Sequence, residues 1–146
     1  MLIIGIDPGA SGGIAFNWLG SSFAYKMPET EADVKALLIS EIKGEEAFVY
    51  MEEVHSMPKQ GVKSTFTFGT NYGFLRGLLA GLDIPREFVT PNTWQKAMRC
   101  LSKGDKNITK KRAQELFPKL SIIHATADAL LIAEYGRRLR AGEFSK

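Results

Sequence analysis

The chain has little cysteine: Cys100 is the single one in 146 residues. No internal disulfide and no cysteine-built metal cluster can form from it. No run of 18 apolar residues occurs, so no membrane-spanning helix is expected. Residue 1 leads straight into an apolar segment, and a secretory signal is not expected. Linkers, internal repeats and low-complexity tracts are also missing, so residues 1–146 read as one domain. These absences together point to a reducing cytoplasm. At 45% hydrophobic and 24% charged, the chain can bury a core. Charge of one sign is scarce in the total, which is only +3, but not locally. From Lys96 to Arg112 there are seven basic residues and one acid, Asp105. The rest of the chain is therefore net acidic. A basic stretch of this kind suits a polyanion partner, and equally a solvated lysine-rich loop.

The segment Leu2–Phe16, LIIGIDPGASGGIAF, raises the first chemical question. Leu2, Ile3, Ile4 and Ile6 read as a buried strand that closes on Asp7, and Pro8-Gly9 turns the chain. Ile14, Ala15 and Phe16 begin a return strand, so a carboxylate sits beside a hairpin turn. A carboxylate at the end of a buried strand is costly unless a backbone N–H or a cation meets it.

Strands are expected at 2–7, 12–17, 22–26, 47–54 and 87–89. Helices are expected at 30–42, with Thr30 as cap, and at 64–82, 108–117 and 125–140, with a short one from Pro91. Three meandering strands followed by strands alternating with helices describe an α/β fold, a mixed five-stranded sheet with helices on its faces. The 64–82 helix carries Gly69, Gly73, Gly77 and Gly81, spaced by four. Each glycine costs about 1 kcal/mol relative to alanine in a helix, so a packing gain should offset them. Two readings are open: close packing on the protein's own sheet, or a helix-to-helix contact between two copies.

Two more acids stand in apolar surroundings. In VYMEEV, Glu52 and Glu53 face opposite sides of a strand, so one of them can join Asp7. In IIHATADALLIAEYG, Asp128 lies in the first turn of an otherwise apolar helix. His124, four residues earlier, falls on the same helix face if the helix has begun by then. Each acid alone also fits a cap or a turn. If the three converge, a hard divalent cation relieves their repulsion, and Mg²⁺ suits a few carboxylates plus a substrate phosphate. Two such ions roughly 3.5–4 Å apart activate water and stabilise the leaving oxygen of a phosphodiester.

GIDPGASGGIA, YMEEV and ATADALLIA, in this order and spacing, resemble the RuvC-type Holliday junction resolvases of the ribonuclease H-like superfamily. The likeness runs from Leu2 to about Arg138. The first motif is shared with actin-like ATPases; the last is the telling one. The compact length suggests a phage-type or organelle-type member, acting in bacterial or phage-infected cytoplasm. The resemblance implies a ribonuclease H-like fold and a homodimer that binds four-way DNA junctions. It implies paired phosphodiester hydrolysis with Mg²⁺ or Mn²⁺, two ions per site. Asp7, Glu52 and Asp128 match the family's acids. The family's fourth ligand falls at Ala125 here, and His124 stands one residue further back. His124 is taken as the fourth member, or as a polar residue opening the helix.

The resemblance also implies basic residues that hold the scissile phosphate and the strand backbones. Lys96, Lys103, Lys106, Lys110, Lys111 and Arg112 supply them. Lys110 is expected nearest the cut, because it opens a helix and helix starts favour phosphate. Three neighbours, Lys110 to Arg112, cannot all face one way. Trp94 is expected in the core rather than as a base-stacking platform. The polar segment HSMPKQGVKS brings His55, Lys59 and Lys63 to the DNA, with His55 placed to stack on an opened base. The alternatives are a broader branched-DNA or RNA–DNA hybrid nuclease of the same fold, an actin-like ATPase, a related resolvase family of RNA maturation, and a non-catalytic nucleic-acid-binding module. An ATPase of that type needs two such domains around its nucleotide. A module without activity would normally have lost an acid, and all three are present.

Overall fold

The computed structural model describes residues 1–55 and 59–144. Five strands form one sheet: β1 (Leu2–Asp7), β2 (Gly13–Trp18), β3 (Ser21–Lys26), β4 (Ala47–Glu52) and β5 (Arg86–Val89). Their order across the sheet is β3-β2-β1-β4-β5. β1, β2 and β3 pair antiparallel as a meander, while β4 and β5 join in parallel. Helices α1 (Glu31–Ile42) and α2 (Val62–Gly81) separate β3, β4 and β5, and α3 (Pro91–Ala97), α4 (Lys106–Leu116) and α5 (His124–Arg140) follow. This is the expected ribonuclease H-like α/β architecture.

The alternation of β1 divides the core. Leu2, Ile4 and Ile6 point to one face, where they join Val49 and Met51 of β4, Val34 and Leu38 of α1, and Leu75 and Leu79 of α2. Ile3 and Tyr50 point to the other, where Ala129, Leu130 and Ala133 of α5, Ala113 of α4 and Trp94 of α3 cover them. α5 lies almost directly on β1. A methyl at Gly5 would run into the Ala129 carbonyl and the Ala133 amide, and one at Gly136 into the Tyr50 ring. The central strand and the helix have shed side chains where they cross. Gly5→Ala is therefore expected to destabilise by about 3 kcal/mol, because backbone atoms cannot move aside as a flexible side chain does. The shift of the urea unfolding midpoint at unchanged slope checks this.

Local chemistry sets the helix starts. The Thr30 hydroxyl accepts the Asp33 N–H at 3.1 Å, Thr90 caps α3 ahead of Pro91, and Asp105 accepts the Asn107 N–H at 2.9 Å. The Asp105 cap starts α4 at Lys106, two residues before the expected 108. The glycine stripe of α2 corrects a sequence reading. Gly69, Gly73, Gly77 and Gly81 are exposed, and a methyl at any of them would meet nothing within 4 Å. α2 packs on the sheet through Leu75 and Leu79 instead. Close packing on the protein's own sheet is not what the glycines serve. No helix among the described residues is long and apolar enough to cross a membrane.

Candidate active site

The same alternation positions the acids. Asp7 follows Ile3 and Gly5 on the α5 face of β1, and Glu52 follows Phe48 and Tyr50 on that face of β4. The last parallel pair between the two strands is Ile6 with Met51, so Asp7 and Glu52 stand side by side one residue beyond it. Glu53 points the other way, where its charge acts on the Tyr72 hydroxyl of α2. β4 ends at Glu52 rather than at residue 54.

α5 brings the third acid to the same end. Gly13 allows the approach: a methyl there would collide with the Ala125 carbonyl, and one at Gly12 with the Asp7 carbonyl. Gly13 is thus a seat for the start of α5, and Gly12 lets the turn fold close against the end of β1. Thr126 reaches back to accept the Ile123 N–H at 3.4 Å. α5 begins at His124, so Asp128 lies one full turn in, and His124 and Asp128 share a face.

The three carboxyls feel one another. Burial pushes Asp7 well above the usual carboxylate range, and the charges of Glu52 and Asp128 push it further. Burial raises Glu52 to about 7, with Asp128 adding to the rise. Burial also raises Asp128, and the Thr109 hydroxyl, Lys106 and His124 draw it back. Lys106 lowers all three acids. Repulsion among buried acids that one lysine only partly offsets is a demand for further positive charge.

Lys106, rather than Lys110, is the lysine whose charge acts on all three acids. α4 starts at Lys106, so the argument that a helix start favours phosphate selects Lys106, and Lys110 lies a turn further along. Lys103 and Lys106 are exposed and line an open cleft of about 440 Å³ with Glu52 and Asp128. Lys96, Lys111, Lys59, Lys63 and His55 are exposed, and Lys110 is half-buried. Lys63 lines a separate depression with Ser11, Ser64 and Thr67. Arg112 is turned inward: its Nε donates to the Met98 carbonyl at 2.9 Å, and an Nη donates to Glu115 at 3.2 Å. It ties α4 to the end of α3. Ser56, Met57 and Pro58 of the polar segment lie outside the described residues.

Two contributors were not foreseen. Trp94 is fully buried, as expected of a core residue, but its indole N–H donates to Glu52 Oε2 at 2.7 Å. The signal was available, since a buried tryptophan needs an acceptor. Thr109 is buried beside Asp128, and nothing in ITKKRAQELF marks it out. Cys100 lies near enough for Asp128 to act on it, but burial pushes its thiol up to about 11, so it remains neutral.

The donor set fits a hard divalent cation. Its members are carboxylates, and Asp128 Oδ1 is buried with no hydrogen-bond partner. The acids are gathered without being closed. Among the described residues, no three His, Cys, Asp or Glu side chains stand in a geometry that encloses an ion.

No family model and no curated protein sequence matches the chain. Solved structures do. RuvC of T. thermophilus in complex with a Holliday junction substrate superposes with a TM-score of 0.66 at 17% identity, over 97% of this chain and 96% of that one. A second Thermus thermophilus RuvC structure gives 0.61 at 16% identity, over 97% of each chain. The chain has the RuvC fold. At these identities RuvC shares its architecture with this chain, and the chemistry rests on the residues described above.

Proposed function

We propose that residues 1–146 form one nuclease domain, a metal-dependent, structure-selective DNA endonuclease that resolves four-way junctions by paired phosphodiester hydrolysis. The observation that carries this reading is the convergence of Asp7, Glu52 and Asp128 from β1, β4 and α5 into one mutually repelling cluster. It lies at an open cleft with Lys103 and Lys106, within the RuvC fold. That one of the RuvC structures holds a Holliday junction substrate favours branched DNA as the ligand.

Asp7, Glu52 and Asp128 would hold Mg²⁺ or Mn²⁺, with His124 as fourth member. Two ions bound there supply Lewis acidity to the phosphodiester and neutralise the acids. Lys106 leads the roles of the chain's own groups. Its ammonium opens α4, where backbone N–H groups also point outward, and it holds a non-bridging oxygen of the scissile phosphate. His124, exposed one turn ahead of Asp128 on the same face of α5, would complete the ligand set through a ring nitrogen. Lys96, Lys103, Lys110, Lys111, Lys59 and Lys63 contact strand backbones, and His55 stacks on an opened base.

The site serves one strand, so two symmetric cuts require two copies. The exposed glycines Gly69, Gly73 and Gly77 and the bare Phe66, 76% exposed, favour α2 as the face on which a second copy docks. Gly73→Glu is expected to convert a dimer to a monomer by analytical ultracentrifugation and to uncouple the two nicks.

A panel of labelled four-way junction, Y-fork, RNA–DNA hybrid and linear duplex, each with Mg²⁺ or Mn²⁺, tests the function. Cutting of the junction alone is expected. Cutting of forks or hybrids at similar rates would make the protein a broader nuclease of the same fold. Binding without cutting in either metal would remove the enzyme reading.

A further inference from the structure

We propose that Trp94 is the positioning residue of Glu52, its buried indole N–H holding one carboxylate oxygen in place so that the other is presented to a metal ion. This rests on the reading of Glu52 as a metal ligand.

The geometry is specific. Trp94 is wholly buried, and its Nε1 lies 2.7 Å from Oε2 of Glu52, short for an N–H···O bond and in the range of charge-assisted ones. Indole is a donor only, so the bond has one direction. No other hydrogen bond to the Glu52 carboxylate occurs among the described residues, and Glu52 lines the cleft with Asp128 and Lys106.

The helix that carries the indole is held at both ends. The Thr90 hydroxyl accepts the Thr93 N–H at the start of α3, and Arg112 donates to the Met98 carbonyl just past its end. α3 therefore acts as a fixed bracket between α4 and the tip of β4. A glutamate reaches its ligand through three rotatable bonds, and pinning one oxygen removes most of that freedom before any ion arrives. Outer partners of this kind orient metal ligands.

Packing alone does not account for the pair. A phenyl ring would fill most of the same volume, and a neutral carbonyl would satisfy an indole N–H without burying a charge. Trp94→Phe separates the two roles. It keeps an aromatic ring and removes the donor.

Mn²⁺ binding to DNA-free protein, measured by calorimetry, is the readout. Trp94→Phe is expected to melt within a few degrees of wild type and to bind Mn²⁺ about tenfold or more weakly. Unchanged Mn²⁺ affinity in the variant overturns the inference and leaves the metal site standing. Wild type that binds no Mn²⁺ overturns both. A second measurement needs no change at Trp94. The Trp94 indole N–H resonance, assigned against Trp18→Phe, is expected to shift saturably with Mg²⁺. Glu52→Gln should displace it far more than Glu53→Gln. A resonance indifferent to Mg²⁺ and to Glu52→Gln overturns the inference even if Trp94→Phe fails to fold.

Discussion

Asp7→Asn is expected to abolish junction cleavage while junction binding stays unchanged or tightens. Asp7 is the acid most enclosed by the others: burial, Glu52 and Asp128 all disfavour its charge. An asparagine there keeps the shape and removes the anion that a divalent cation would pair with. Losing several kcal/mol of transition-state charge stabilisation corresponds to a rate loss of about a thousandfold or more. Binding follows a different term, because affinity for DNA comes chiefly from lysines on phosphates, and one acid fewer lowers the repulsion. Cleavage by gel and binding by fluorescence anisotropy read the two separately. Glu52→Gln should match Asp7→Asn. Glu53→Gln should cost little, since Glu53 faces Tyr72 on the opposite side of the sheet. Equal losses at 52 and 53 would place the catalytic face wrongly.

The metal-free protein is expected to become less stable as the pH rises from about 5 to 8. Burial raises Glu52 to about 7 from an ordinary 4.5, and Asp7 and Asp128 are raised as well. The folded state therefore holds more protons than the unfolded one in this window, and unfolding free energy falls with rising pH. For Glu52 alone the difference corresponds to about 3 kcal/mol once the pH passes its folded value. Glu134 works in the opposite sense. Burial would raise it, but the guanidinium groups of Arg137 and Arg138, at 2.8 and 2.6 Å, hold it below the usual range. Its stabilisation is complete above about 4.5 and is lost only on acidification, so it is constant between pH 5 and 8. Melting curves in a chelator across that window should slope downward with pH, and Glu52→Gln should flatten the slope. Saturating Mg²⁺ should raise the melting temperature most at pH 8, where the acids are already ionised and no proton competes. Metal-free stability that climbs from pH 5 to 8 would contradict the crowded, uncompensated site.

Much of the fold was legible because its periodicities are clean. The continuous apolar runs of LIIGID and AFVYME, each closed by an acid, mark two central buried strands. Strand parity puts Glu52 and Glu53 on opposite faces, and the register of β1 with β4 decides that Glu52 is the one beside Asp7. The Ala-rich apolar run after His124 marked α5, and the Ala-Asp-Ala-Leu pattern marked its acid. What sequence reading missed follows from distance along the chain. The Trp94 bond to Glu52 spans β5 and the turn into α3, and its partner depends on where α3 lands. A helix start at 108 favours Lys110, whereas the Asp105 cap moves the start back by two residues and brings Lys106 to it. Gly5 and Gly13 are close approaches to α5, and a lone glycine in a strand does not say which element comes near. The α2 glycines point to a backbone that could be approached, but their spacing holds no information about which surface does so.

The most direct test maps cleavage at nucleotide resolution on a four-way junction labelled on each strand in turn, with wild-type protein in Mg²⁺ and in a chelator. Paired nicks at symmetric positions in two opposed strands, present with Mg²⁺ and absent without it, are the expected result. A junction that is bound but left intact in Mg²⁺ and Mn²⁺, or cut equally well in the chelator, would contradict a metal-dependent nuclease centre at Asp7, Glu52 and Asp128.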